Sequence, residues 1–299
     1  MRRRLRVLVA VAAATVLGYA CLAPCGGPAP PSAVPTPARW SPHDLNVAWV
    51  GHASVLIGFG GTTLLTDPAF FDRVGVQLGP ITIGPRRVVA AALRPEDLPA
   101  LDAVVLSHAH MDSLDRPSLR TVASGRLLVT PPRTRDLVDD LGFARVVELG
   151  WGERVTAGDV EIEATPVSHW GKRWPWEGWR GYNGYLFTRG DTTILFAPDT
   201  AYTPALGALA KERHVTAAIL GNGAYDPWIH HHAAPEQVWD MFVQSQARAL
   251  IPIHWDTFRL GWEPLGDAIR RLLAAAGPDA DRVVVRRIGD TWTTPCCGT

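Results

Sequence analysis

The segment Val104-Val105-Leu106-Ser107-His108-Ala109-His110-Met111-Asp112-Ser113-Leu114-Asp115 constrains this chain more than any other. An apolar run of strand type ends in two histidines at i and i+2, with a carboxylate two residues further. Alternate side chains of an extended backbone share a face, so His108 and His110 can converge on one ion. Neutral imidazoles suit zinc or a similar transition ion. Other polar candidates stand just beyond further expected strands: Asp67 after Leu64–Thr66, His169 after Val160–Pro166, Asp199 after Thr192–Phe196 and His254 after Ala249–Ile253. Such recurrence places one reactive site at one edge of a rigid sheet assembly. The alternative, that these are surface or structural histidines, would suit one isolated residue better than a recurring pattern.

Short apolar runs bounded by Gly-rich turns predict strands at Asn46–Val50, Ser54–Phe59, Thr62–Thr66, Ala103–Ser107, Leu127–Thr130, Val146–Leu149 and Val160–Pro166. In the second half, Asn183–Phe187 and Thr192–Phe196 flank Arg189-Gly190-Asp191, a hairpin turn, and Ala217–Leu220, Ala249–Ile253 and Val283–Val285 are further strands. Helices are expected over Arg133–Leu141, Pro204–Lys211, Pro235–Gln246 and Glu263–Ala276, the last from the spacing of Leu265, Ile269, Leu272 and Leu273. Strands followed by mixed βα units, occurring twice, predict an α+β fold of two sheets, each covered outside by helices. A single doubly wound sheet is the competing arrangement.

With 299 residues, 47% of them apolar and 19% charged, the chain can build a substantial core and is not a disordered or acidic-tail protein. The formal charge of zero hides an asymmetry: without Arg2, Arg3, Arg4 and Arg6 the count is 25 basic against 29 acidic residues. A slightly acidic body with no long basic track gives no reason to expect nucleic acid as a partner. Those arginines precede the small-apolar run Val7–Ala20, the signature of an export signal too short to span a membrane comfortably. Residues 1–20 are therefore expected to be a signal peptide or lipoprotein signal, with Cys21 as the lipidation candidate. Residues 21–41, rich in Pro, Gly and Ala, are expected to be a tether, 42–292 the domain, and 293–299 a C-terminal tail. The expected compartment is periplasmic or envelope-anchored. The only cysteines, Cys21, Cys25, Cys296 and Cys297, lie outside that domain, which excludes a thiolate metal site within it.

In order along the chain, Trp49-Val50-Gly51-His52-Ala53-Ser54, Leu65-Thr66-Asp67-Pro68, His108–Asp115, Ser168-His169-Trp170, Phe196-Ala197-Pro198-Asp199-Thr200 and Ile253-His254-Trp255 form a set. Over roughly Asn46 to Arg287 this set resembles the metallo-β-lactamase fold. The branch it resembles contains N-acyl phosphatidylethanolamine-hydrolysing phospholipase D and ascorbate-6-phosphate lactonase-type enzymes. The resemblance implies an αββα sandwich with a metal centre at the edge of the two sheets. It also implies that His108, His110 and His169 hold the first metal, that Asp199 bridges, and that Asp112 and His254 serve the second. Asp67 would support a ligand histidine, and His52 would sit close to the site or simply be buried and hydrogen-bonded. One position departs from the family run His-x-His-x-Asp-His: the final histidine is Ser113 here, and a serine hydroxyl is a poor ligand. That implies a weaker second metal, a one-metal enzyme or a degenerate protein.

The expected cofactor is zinc, one or two ions, with Mn2+ or Fe as alternatives. A metal-activated hydroxide would attack phosphorus or a carbonyl carbon. Asp112 would orient the water or take its proton. His232, three residues before Pro235-Glu236 as in the family, would protonate the leaving oxygen. Trp170, Trp174, Trp176 and Trp179, with Lys172, Arg173 and Arg180 among them, could line a lipid-like or other organic substrate, or fold back as a second apolar cluster. The sequence thus predicts an exported metal-dependent hydrolase acting on a phosphodiester. Lactone or ester hydrolysis, and a non-catalytic envelope protein retaining one metal, are the alternatives. Small-molecule or lipid-like substrates and peripheral membrane contact are the expected partners.

Overall fold

The computed structural model describes residues 27–210 and 213–296. The export segment, Cys21, Cys25 and Cys297 lie outside the described residues. The first sheet orders β15 (Thr291–Pro295), β1 (Asp44–Gly51), β2 (Ser54–Phe59), β3 (Thr62–Thr66), β6 (Ala103–Val105), β7 (Leu127–Thr130) and β8 (Arg145–Glu148). The second orders β14 (Ala249–Ile253), β13 (Val215–Gly221), β12 (Thr192–Ala197), β11 (Gly184–Arg189), β10 (Val160–Thr165) and β9 (Arg154–Ala157). A small hairpin of β4 (Val76–Leu78) and β5 (Ile81–Ile83) stands apart. Each large sheet is antiparallel on one side and parallel on the other.

Strand periodicity sorts the apolar residues into layers. Leu45, Val47 and Trp49 of β1 and Val55, Ile57 and Phe59 of β2 join Ile194 and Phe196 of β12 in a core between the sheets. Alternate residues Ala48, Val50 and Leu56 face outward and pack under α1 (Arg116–Val122) through Leu119 and Val122. On the other outer face, Leu195, Ala218 and Leu220 pack under three helices. These are α2 (Ala205–Ala210), α3 (Pro235–Gln244) and α4 (Asp267–Ala276). Burial of Val238, Met241 and Phe242 at i, i+3 and i+4 fixes the inward face of α3. The architecture is the αββα sandwich, not one doubly wound sheet.

Several elements differ from the sequence expectation. Arg133–Leu141 is not a helix but a 3-10 turn at Arg135–Leu137. Arg133 has φ 63°, and Glu148 Oε1 accepts the backbone N–H groups of Thr134 and Arg135, which stops a helix at its start. Val283–Val285 makes only an isolated bridge, Val283 to Leu250. The helix expected from Glu263 begins at Asp267, because Gly266 lies at φ 77°, and Leu265 is left exposed. At the N-terminal side, Ala29 bridges Val89 and Ser32 Oγ donates to the Ile288 carbonyl, so this part of the expected tether lies on the domain. β15 pairs with β1 as far as Pro295, so the sheet extends beyond residue 292.

The strand directions bring the β1–β2 turn and the loops after β3, β6, β10, β12 and β14 to one end of the sandwich. They carry, in turn, His52, Asp67, His108 to Asp112, His169, Asp199 and His254.

Candidate metal centre

The loop after β6 leaves the sheet at Val105, so His108 and His110 converge through an irregular turn rather than through the extended strand expected from their spacing. His108 Nε2 lies 2.7 Å from His110 Nδ1 and 3.5 Å from Asp199 Oδ2. His169 Nε2 is 3.4 Å from the same His110 nitrogen and 3.7 Å from Asp199 Oδ2. Atoms bound to one zinc at about 2 Å stand about 3.3 Å apart in a tetrahedron, within this spread. His108, His110, His169 and Asp199 thus form one group whose ligand atoms all lie within 4.8 Å of one another.

Two of the other ring nitrogens, on His108 and His169, face protein acceptors, the arrangement metal-ligating histidines usually show, whereas that of His110 meets a donor. Ser107 Oγ is 2.8 Å from His108 Nδ1, His169 Nδ1 lies 3.0 Å from the His231 carbonyl oxygen, and the Trp170 indole N–H donates to His110 Nε2. Asp67, expected to support a ligand histidine, acts through that serine: it accepts from Ser107 N at 2.8 Å and from Ser107 Oγ at 2.5 Å. Burial pushes its carboxyl well above the usual range, against the two bonds from Ser107.

A second group adjoins the first. His254 Nε2 stands 3.2 Å from Asp199 Oδ1 and 3.6 Å from Asp112 Oδ2. His52, Asp112 and His254 form one set of potential ligands, and Asp199, His232 and His254 another. The hydroxyl of Ser113, beside Asp112, is buried with no hydrogen-bond partner.

Electrostatics favour a cation here. Burial would raise Asp112 and Asp199, yet the surrounding histidines, His254 foremost, hold both well below the usual carboxylate range. Burial lowers His108 to about 3 and His52 and His232 to about 4, so these rings are neutral donors near neutral pH. His254 moves the other way, to about 10: burial opposes its charge, but Asp199 and Asp112 outweigh it. Both Asp199 oxygens and both His254 nitrogens are buried without an aligned hydrogen bond. Ionised carboxylates and unpaired imidazole nitrogens facing one centre fit a transition ion, with no thiolate in reach among the described residues.

The aromatic loop divides. Trp176 and Trp179 are 68% and 48% exposed, and Trp174 stacks on Trp176 at 5.8 Å between ring centroids. Trp170 lies over His231 at the rim, with Lys172 Nζ 6.0 Å above its ring. Arg173, expected among the substrate-binding groups, turns inward instead and donates to the Ala109 and Leu114 carbonyls at 3.1 and 2.9 Å. Arg180 is likewise held by Glu177 and Asp136. The sequence reading missed Ser107 as the relay from Asp67, the His231 carbonyl and Trp228, whose ring packs edge-on to Trp170 at the rim. A serine preceding the first histidine was the one visible signal.

The model of the Beta-lactamase superfamily domain matches residues 62–255. The chain is similar to an uncharacterized protein of Mycobacterium tuberculosis, 31% identical over 271 residues, 85% of this chain and 70% of the relative. It is also similar to the mitochondrial N-acyl-phosphatidylethanolamine-hydrolyzing phospholipase D of Saccharomyces cerevisiae. That likeness is 30% identical over 260 residues, 81% of this chain and 54% of the yeast protein. Among solved structures, the metallo hydrolase Igni18 of Ignicoccus hospitalis shares the fold. Its TM-score is 0.64 at 16% identity, covering 85% of this chain and 99% of that one.

Proposed function

The chain belongs to the metallo-β-lactamase superfamily, a family of metal-dependent hydrolases, and from that premise we propose that it hydrolyses a lipid-like phosphodiester. The observation that carries this reading is the pairing of the histidine–aspartate cluster with an exposed tryptophan rim and Lys172 beside it. The likeness to a phospholipase D supports the phosphodiester.

His108, His110 and His169 would hold one ion, Asp112 and His254 a second, with Asp199 between them. Zinc suits the donor set, and when bound it would supply Lewis acidity and a nucleophile at neutral pH. Asp112 Oδ2, 2.9 Å from His52 Nε2, is a fixed acceptor that can orient an attacking water. His232 is placed by Ala233 N donating to the Thr200 carbonyl, and its own ring makes no hydrogen bond among the described residues. Neutral near pH 7, it can accept the proton released on attack and return it to the leaving oxygen. Trp176 and Trp179 would receive apolar chains, and Lys172 would meet the phosphate. Export, inferred from residues 1–20, belongs to the same proposal and is tested by fractionating cells.

The test is zinc-loaded protein assayed on N-acyl phosphatidylethanolamine in mixed micelles, on bis(4-nitrophenyl) phosphate and on an alkyl lactone. Phosphodiester turnover, faster on the lipid, is expected. Turnover of the lactone alone would overturn the phosphodiester reading, and no turnover of any would favour a non-catalytic envelope protein.

A further inference from the structure

We propose that His52 is a ligand of the second ion, supplying from the β1–β2 turn the imidazole that the Asp112-Ser113 sequence lacks. This rests on the metal-centre reading above and adds to it which residue completes the second site.

His52 is 1% exposed, and its Nε2 lies 2.9 Å from Asp112 Oδ2. The His52 and His254 rings lie against each other, their centroids 4.0 Å apart and their planes tilted by 40°. The ligand atoms of His52, Asp112 and His254 all fall within 4.8 Å of one another, the same closeness as in the first group. His52 Nδ1 is buried with no hydrogen-bond partner. Ser113, one residue from Asp112, is buried too, but it offers only a neutral hydroxyl, a poorer donor to a transition ion than imidazole.

The backbone holds His52 firmly in that place. Its N–H donates to Thr257 Oγ1 at 2.9 Å, and its carbonyl accepts from Trp49 Nε1 at 2.8 Å and from His254 N at 3.0 Å. Two strand ends from opposite sheets, those of β1 and β14, are thereby tied to each other at the cluster. His52 has φ 55° and His254 φ 66°, left-handed conformations that non-glycine residues adopt only where the surroundings impose them. A histidine presented from β1 reaches the carboxylate of Asp112 from a direction independent of the β6 loop.

The rival role is a hydrogen bond that merely orients Asp112. His52→Gln separates the two, since its amide N–H can still donate to Asp112 while the side chain is a poor ligand for zinc. The probe is zinc itself, with ions per chain counted by mass spectrometry after buffer exchange, circular dichroism to check folding, and X-ray absorption to count imidazole donors. Wild type should hold two ions. His52→Gln and His52→Ala should hold one, and His52→Ala/Ser113→His should return to two. Affinity for the second ion should fall by more than about a hundredfold in His52→Gln, beyond the ten- to hundredfold cost of losing an outer hydrogen-bond partner. Two tightly held ions in His52→Gln would overturn the assignment and leave the metal centre intact. One ion in wild type would overturn it as well, and none in wild type would overturn the functional reading beneath it.

Discussion

The hydroxyl of Ser107 lies 2.8 Å from His108 Nδ1, so the residue before the first histidine of the motif sets the orientation of that histidine's ring. Ser107 Oγ donates to Asp67 Oδ2 and so accepts from His108 Nδ1–H, which leaves the unprotonated Nε2 turned to the cluster. Ser107→Ala should therefore weaken the first ion by about ten- to a hundredfold while keeping the fold. Competition with a chromophoric chelator measures this, and an unchanged affinity would remove Ser107 and Asp67 from the account.

Arg173 and Lys172 are adjacent in sequence but differ in what they touch. Arg173 satisfies two carbonyls of the metal-binding loop, and charged hydrogen bonds of this kind contribute about 1.5–3 kcal/mol each. Arg173→Ala should lower stability by about 2 kcal/mol or more in urea unfolding. Exposed Lys172→Ala should change stability by less than about 0.5 kcal/mol and raise KM for a phosphodiester. Equal effects of the two on stability would contradict this division.

Strand-end chemistry was readable from sequence because His108, His169, Asp199 and His254 each follow a segment of strand pattern, continuously apolar before His108 and His254 and alternating before His169. Arg133–Leu141 misled because its apolar spacing is helical, while the bonds that prevent a helix come from Glu148, in a different strand. His52 was legible only as a histidine near the site. Its approach to Asp112, sixty positions away, depends on the β1 and β6 ends meeting, which no local pattern encodes. Arg173 and Arg180 looked like phosphate-binding cations among tryptophans, yet loop carbonyls take up the first, and buried Glu177 with exposed Asp136 the second.

Trp176 and Trp179 present exposed apolar area on the loop that follows His169 and Trp170. Trp176→Ala/Trp179→Ala should reduce kcat/KM for long-chain substrates about tenfold or more, since each buried CH2 contributes about 0.8 kcal/mol. Short soluble phosphodiesters should be affected little. Equal losses on both would indicate that the loop only packs.

Asp115 caps α1 through Ser118, and burial, partly offset by those bonds, raises its pKa to about 6. A carboxyl with a raised folded pKa binds protons more tightly in the folded state. Its unfavourable contribution is thus absent below the unfolded value near 4 and grows as pH rises to about 6. Two units correspond to about 3 kcal/mol. Asp115→Asn, which can still cap the helix, should match wild type near pH 4 and exceed it by up to that amount at pH 7. Unfolding curves at the two pH values decide, and a difference independent of pH would contradict the assignment.

Hydrolysis should depend wholly on an ion held by His108, His110, His169 and Asp199, and chelation followed by refilling tests this most directly. Dialysis against a strong chelator should abolish phosphodiester turnover in protein that stays folded, zinc should restore it, and His110→Ala should not recover. Full turnover by the chelated protein, with its metal content measured at zero, would contradict the account.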